Sequence, residues 1–256
     1  MRSPSIKEQH RIVTLLDETF ADIATAKANA EKNLQNVREL FESHLDAALD
    51  SHALDHIATT QGAKIDLVAG FAFSSSRYSN HDDDVRLLRG DNIMQGYLRW
   101  EDVKRWPKSE IASHEKFALK EGDVVLAMDH PWVKAGLKRA QMIATDLPCL
   151  QVQRTARLRP RKNLRAGFLF HLTGSQAFSR HLLDVQTGIG VPHISGTQIQ
   201  DFKFMRPPVE KQALIASEVQ RLQEEIQRLE SIYRQKLIAL DGLKKSLLHK
   251  AFSGQL

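Results

Sequence analysis

The chain has 256 residues, 42% hydrophobic and 26% charged, with a formal net charge of +5, the balance of an ordinary globular chain rather than a disordered one. No apolar run approaches the roughly 20 residues needed to cross a bilayer, and "MRSPSIKEQHR" is followed by no apolar stretch of a signal peptide, so neither a membrane partner nor secretion is expected. The single cysteine, Cys149, excludes an internal disulfide or a cysteine metal cluster and points to a cytoplasmic chain.

Residues 1–49 predict one long helix. Pro4 stands before its first turn, where a missing N–H costs nothing, and neither proline nor glycine follows within it. This segment carries 6 basic and 8 acidic side chains, net −2.

Residues 50–206 read as a mixed α/β domain with 22 basic and 17 acidic side chains, net +5. Glycine and proline recur, and the apolar runs between them are short. "DVRLLRG", "GYLRWEDV", "GDVVLAM", "AQMIAT" and "CLQVQRTARLRP" predict strands. "NLRAGFLFHLTGSQAFSRHLLDV" predicts a helix with Phe168, Leu169, Leu172, Phe178 and Leu182 as its apolar set. Between Lys134 and Arg165 lie nine Lys or Arg against one acid, Asp146.

Residues 207–256 predict a second long helix, with 8 basic and 6 acidic side chains, net +2. It repeats the first. Adding 203 to a position in the first helix pairs Pro4 with Pro207, Gln9 with Gln212, Ile12 with Ile215, Ile23 with Ile226 and Leu34 with Leu237. Both copies carry an apolar stripe at steps of four and three, the signature of a helix that needs a helical partner. Packing is expected at Ile12, Leu16, Ile23, Val37 and Leu40 of the first copy. In the second it is expected at Ile215, Val219, Leu222, Ile226, Leu229, Tyr233, Leu240, Leu243 and Leu247. Thr19, Ala26 and Ala30 keep the first stripe small where the second is large, which suits the two packing on each other.

No catalytic set emerges. A methyltransferase needs a glycine-rich loop between strand and helix and an Asn/Asp-Pro-Pro-aromatic phrase. "GIG" at Gly188–Gly190 opens no helix, and no Asn or Asp precedes Pro207-Pro208. His81 with Asp82, Asp83 and Asp84 reads as a polar loop rather than a metal site, His52 and His56 as a helix-end pair, and Cys149 as buried filler. No catalytic residue, metal or cofactor is assigned to the chain.

The order helix, mixed domain, helix resembles the DNA specificity subunit of type I restriction-modification systems, in a half-length form with one target recognition domain. "VRLLRGDNIMQGYLRWEDV", "LKEGDVVLAM" and above all "TGIGVPHISGTQIQDFKFMRPPVEKQ" carry the likeness. The resemblance implies an α+β fold, with the recognition domain (50–206) inserted between two long helices (1–49 and 207–256) that pair as an antiparallel coiled coil. It implies double-stranded DNA as ligand and methyltransferase subunits as partners, which would bring S-adenosylmethionine; a restriction subunit and a second copy or second half subunit are further expected partners. A natural half subunit and the C-terminal half of a longer one both fit, and the rival reading is a coiled-coil scaffold without specific DNA binding.

For contacts with DNA, Lys and Arg meet phosphates and Arg can also grip guanine. The candidates are Lys134, Lys138, Arg139, Arg154, Arg157, Arg159, Arg161, Lys162 and Arg165 in the basic run. A second group is Arg77, Arg86, Arg89 and Asn92, and the loop "QTGIGVPHISG" adds His193 and Ser195.

Overall fold

A computed structural model describes residues 5–49, 57–133, 136–184 and 192–255. In chain order the elements are α1 (Ile6–Leu49), β1 (Ile57–Thr60), β2 (Ile65–Ala69), β3 (Val85–Leu88), β4 (Lys104–Trp106), β5 (Val124–Ala127), β6 (Trp132–Val133), β7 (Gly136–Leu137), β8 (Arg139–Gln141), β9 (Cys149–Gln151), β10 (Thr155–Pro160), α2 (Ala166–Leu172), α3 (Gln176–Asp184), α4 (Gly196–Gln200), β11 (Lys203–Arg206) and α5 (Val209–Ser253). They form two compact units, one of residues Met1–His44 with Gln220–Leu256 and one of Leu45–Val219.

The first unit is the paired length of two long helices, α1 as far as His44 and α5 from Gln220. α1 has 44 residues and α5 has 45, about 65 Å each at 1.5 Å per residue. The Ser5 hydroxyl accepts from Glu8 N at 3.3 Å and starts α1. α5 ends where Gly254 takes φ +70, with Gly254 N donating to Ala251 O and Gln255 N to Lys250 O, a Schellman motif that satisfies the last carbonyls. Lys27 Nζ meets Asp241 at 2.7 Å, Arg38 Nε meets Glu230 at 2.5 Å, and Lys244 Nζ lies 5.1 Å from the Phe20 ring centroid. As one residue number rises the other falls, so the helices run antiparallel. Among the described residues no helix is long and apolar enough to cross a membrane.

The stripe begins as the spacing predicts, with Ile12, Ile23, Val219 and Ile226 buried. Leu16, Val37, Ile215, Leu222, Tyr233, Leu240 and Leu247 are half-buried. Leu40, Leu229 and Leu243 depart from it, at 64%, 39% and 47% exposure. A straight helix turns once per 3.6 residues and outruns a strict 3.5 repeat. The buried line therefore slides from Val37 to Phe41 in place of Leu40, and from Ile226 to Glu230 and Leu237 in place of Leu229.

The second unit holds the sheets. The largest has the order β2-β10-β5-β8, antiparallel throughout. Val124–Ala127 of β5 are buried without exception, and α2 lies against β5, β8 and β10 with Phe168 and Leu169 fully buried. A second sheet has the order β4-β3-β9, with β3 and β9 parallel. Its core gathers Phe73, Val85, Leu87, Trp106 and Leu150. Cys149 is buried in β9, and that burial pushes its thiol up.

Three sequence expectations change here. "CLQVQRTARLRP" is not one strand but two, β9 and β10, on different sheets and parted by a turn at Arg154. "GYLRWEDV" is no strand: Ile93 bridges Leu98 in a tight turn, and the strand follows at Lys104–Trp106. The stretch from Asn163 to Val185 forms two helices rather than one. They break at Gly174, where a Cβ would stand 2.0 Å from Arg139 Nη2, and the Ser175 hydroxyl then accepts from Phe178 N at 3.1 Å to start α3.

β1 pairs antiparallel with β11, Ile57 opposite Arg206, so chain entrance and exit lie side by side. The Gln212 side chain, fully buried, accepts from Arg165 N at 2.9 Å and donates to Asn163 O at 3.0 Å and Pro207 O at 2.8 Å. That latch gives the "RPPVEKQ" phrase its physical meaning: the glutamine ties the first turn of α5 to the domain it leaves.

Candidate nucleic-acid interface

In the order β2-β10-β5-β8, antiparallel pairing gathers alternate strand ends at each edge of the sheet. One edge collects the ends of β2 and β5 and the starts of β10 and β8. Phe71 N donates to Gln151 O at 3.0 Å, Met128 N to Arg154 O at 2.9 Å, and Lys138 N to Pro131 O at 2.7 Å. His130 N donates to Pro192 O at 3.0 Å and Ile194 N to Met128 O at 2.9 Å, which adds the segment before α4. Gly70 belongs here too: a Cβ would stand 2.0 Å from Val152 O.

This edge gathers basic loop residues. Arg154 sits on the β9–β10 turn at φ +65 with its side chain 68% exposed. His130 is exposed at φ +43. Asp129 bridges Arg154 and His193: one carboxylate oxygen accepts from Arg154 Nη1, and the other faces His193 Nδ1 at 2.5 Å. Burial works to raise the Asp129 carboxyl, but the bonds to His193 and Arg154 outweigh it and hold the group below its ordinary value. Lys138 is half-buried at the same edge, and burial holds its ammonium below the usual lysine range. The turn carrying Tyr97, 58% exposed, joins through Gly96 N donating to Arg139 O at 2.7 Å.

Arg161 and Lys162 are exposed beyond the other end of β10, which its six residues place about 20 Å away. Neither forms an ion pair among the described residues. Arg165 is exposed beside them, with Nε donating to Val209 O at 3.3 Å. The basic run read as one cluster is therefore two groups at opposite ends of a sheet.

Between those ends the arginines are internal struts. Arg157 is buried, with Nη2 donating to Asp66 at 2.5 Å and Nη1 to Lys116 O at 3.1 Å. Arg159 forks onto both oxygens of Asp123 at 2.7 Å. Arg139 is buried with no carboxylate partner among the described residues. Its Nη1 donates to Phe170 O at 2.7 Å and its guanidinium lies 4.2 Å from the Phe170 ring centroid, and burial lowers its pKa to about 10. Arg139 and Arg157, expected at DNA, are removed from any surface that DNA could touch.

The second group also divides. Arg77 pairs with Glu110 at 2.5 Å over the Trp106 ring. Arg86 donates to Thr145 O at 2.8 Å beside Trp100, and Arg89 binds Asp102 at 3.0 Å. Asn92 is 3% exposed, accepting from Arg89 N and donating to Arg99 O; it closes a turn and is corrected from ligand contact to structural brace. Ser195 caps the short α4 by accepting from Gln198 N at 3.2 Å. Lys134 and residues 185–191 of the glycine loop lie outside the described residues, as do His52 and His56.

Sequence reading assigned these arginines no partners, and Asp66, Asp123 and Asp129 hold Arg157, Arg159 and Arg154. Each stands far along the chain from the cation it holds, and no local spacing could have marked it. Among the described residues no cluster of three or more His, Cys, Asp or Glu could hold a metal.

Residues 69–236 match the family described as the type I restriction modification DNA specificity domain. The type I restriction enzyme EcoAI specificity subunit of Escherichia coli is 31% identical over 173 residues, 68% of this chain and 29% of that protein. The MjaVIII specificity subunit of Methanocaldococcus jannaschii is 25% identical over 193 residues, 75% of this chain and 44% of that one. The chain thus spans less than half the length of these curated relatives. Among solved structures, a chain from work on assembly and conformational transition of the type I R-M system superposes with a TM-score of 0.81 at 18% identity, over 99% of this chain and 61% of that one. The HsdS subunit of Thermoanaerobacter tengcongensis gives 0.62 at 18% identity, covering 99% and 60%. These two share the fold. With two thirds of its length matched, the chain belongs to the type I restriction-modification DNA specificity family.

Proposed function

We propose that this chain reads DNA sequence as the specificity subunit of a type I restriction-modification complex. The observation that carries the reading is the sheet edge where Arg154 and His193, from separate loops, share Asp129 and where backbone bonds also bring in the loops of His130 and Lys138, on a chain of this family. Basic side chains on loops can follow phosphates and reach base edges, whereas strand arginines bonded within the domain cannot. One recognition domain supplies one reading head, so the chain reads half of a split target and a second copy or second half subunit reads the other. The paired helices set the distance between them.

Assembly is the other half of the proposal. Leu40, Ile232, Ile238 and Leu243 remain exposed on the helices, more apolar surface than a finished outer face needs. That supports docking of methyltransferase subunits, which bring S-adenosylmethionine, with a restriction subunit joining for cleavage. No chemical step is assigned to residues of this chain.

Titrating salt against a random duplex tests DNA binding. A steep loss of affinity with rising salt is expected, and no binding at low salt would leave the scaffold reading in its place. Gel filtration tests the half-site reading: a stable monomer, both alone and with methyltransferase subunits, would reject it.

A further inference from the structure

We infer that Asp129 is a positioning residue that aims the Arg154 guanidinium at a guanine edge in the major groove. The inference rests on the DNA reading above and names the base class that this edge selects.

Four observations converge. Arg154 holds the left-handed conformation, φ +65, that L side chains rarely adopt, and non-glycine residues so held cluster where the surrounding structure requires it. Its side chain is 68% exposed, whereas the Asp129 side chain beneath it is 16% exposed. Asp129 takes only Nη1, which leaves the Nε/Nη2 edge open, two parallel donors that match guanine O6 and N7. The second carboxylate oxygen of Asp129 is held by His193, so the anion is itself fixed from another loop and cannot swing with the arginine.

The charge balance separates guanine from phosphate as the target of this fork. A guanidinium that serves only phosphate loses attraction when a carboxylate sits on it, and it needs no fixed orientation. A guanidinium that reads a base needs orientation above all, and a carboxylate on its far edge supplies that. Arg161 and Lys162, exposed and without acids among the described residues, have the opposite character and suit phosphate.

The test is binding selection from a randomised duplex library with the full chain, comparing wild type, Arg154→Lys, Arg154→Ala and Asp129→Asn. Thermal midpoints confirm that each variant is folded. Wild type is expected to enrich a word containing a G·C pair. Arg154→Lys keeps the charge and Asp129→Asn keeps the shape. In both, preference at that one pair should fall by about tenfold relative to the same variant's binding of random duplex. Arg154→Ala should lose the same preference. The inference falls if Asp129→Asn keeps the wild-type word, or if the variants lose random and selected DNA in equal proportion, which would make Arg154 a phosphate contact. If wild type itself enriches no word, the DNA reading falls with it, a result distinct from either.

Discussion

Arg154 and Arg157 stand three residues apart, and the domain uses them in opposite ways. Arg154 lies on a turn with its side chain 68% exposed; Arg157 lies on β10 with its side chain 4% exposed, clamped to Asp66. The first four residues of β10 are buried, so a long cation among them needs an internal partner. A turn at the sheet's end imposes no such demand. The positive charge that a sequence displays as one run is therefore divided by topology into struts and contacts, and only the contacts can meet DNA.

Removing a strut should cost far more stability than removing a contact. Arg157→Ala strips a buried guanidinium from Asp66 and the Lys116 carbonyl. Breaking a buried pair costs about 3–5 kcal/mol, less where one partner stays wet. The Asp66 side chain is 47% exposed, so a loss of about 3 kcal/mol in denaturant unfolding is expected. Equal stability of Arg157→Ala and wild type would erase the distinction between the two regions.

His171 sharpens it through pH. The side chain is 2% exposed, and burial first, then the nearby Arg139 charge, lowers its pKa from 6.5 to about 4. In that window the unfolded chain binds a proton that the folded chain refuses. Stability is thus full above about 6.5 and falls as the pH drops toward 4, by about 2–3 kcal/mol at most. His171→Phe should flatten that slope in unfolding measured across the window. A slope unchanged by the substitution would assign it elsewhere.

Arg139 comes next, because its charge lacks a carboxylate. Arg139→Ala opens a void under Phe170 and should cost about 2 kcal/mol. Arg139→Met fills much of that volume without burying a charge and should recover at least half of the loss. A Met variant as weak as Ala would mean that the guanidinium bond to the Phe170 carbonyl, rather than packing, is what matters.

The helices were legible because their signal is local. An absence of interior proline and a stripe at steps of four and three sit within short windows, and the offset of 203 only compares two such windows. Even there the heptad rule misplaced Leu40, since a rule of 3.5 and a helix of 3.6 drift apart over ten turns. The strands "VRLL" and "VVLA" were equally plain. The candidate site was legible only in its residue types. Asp66 lies 91 residues from Arg157, and Asp129 lies 25 from Arg154 and 64 from His193. Those pairings exist only once strand order is fixed, and residue type alone does not fix it.

The smallest effect on folding should come from the far end of β10. Arg161→Ala with Lys162→Ala removes two exposed cations that pair with no carboxylate among the described residues. Surface changes of this kind stay within about 0.5 kcal/mol of wild type. Their consequence should appear in DNA binding instead: affinity for random duplex weakens uniformly across sequences, and the slope of log affinity against log salt becomes shallower by about 1 for each phosphate that is no longer neutralised. If the double variant keeps the wild-type slope, the DNA runs over the Arg154 edge alone. The two ends of the sheet would then differ in function as sharply as strand and turn differ in burial.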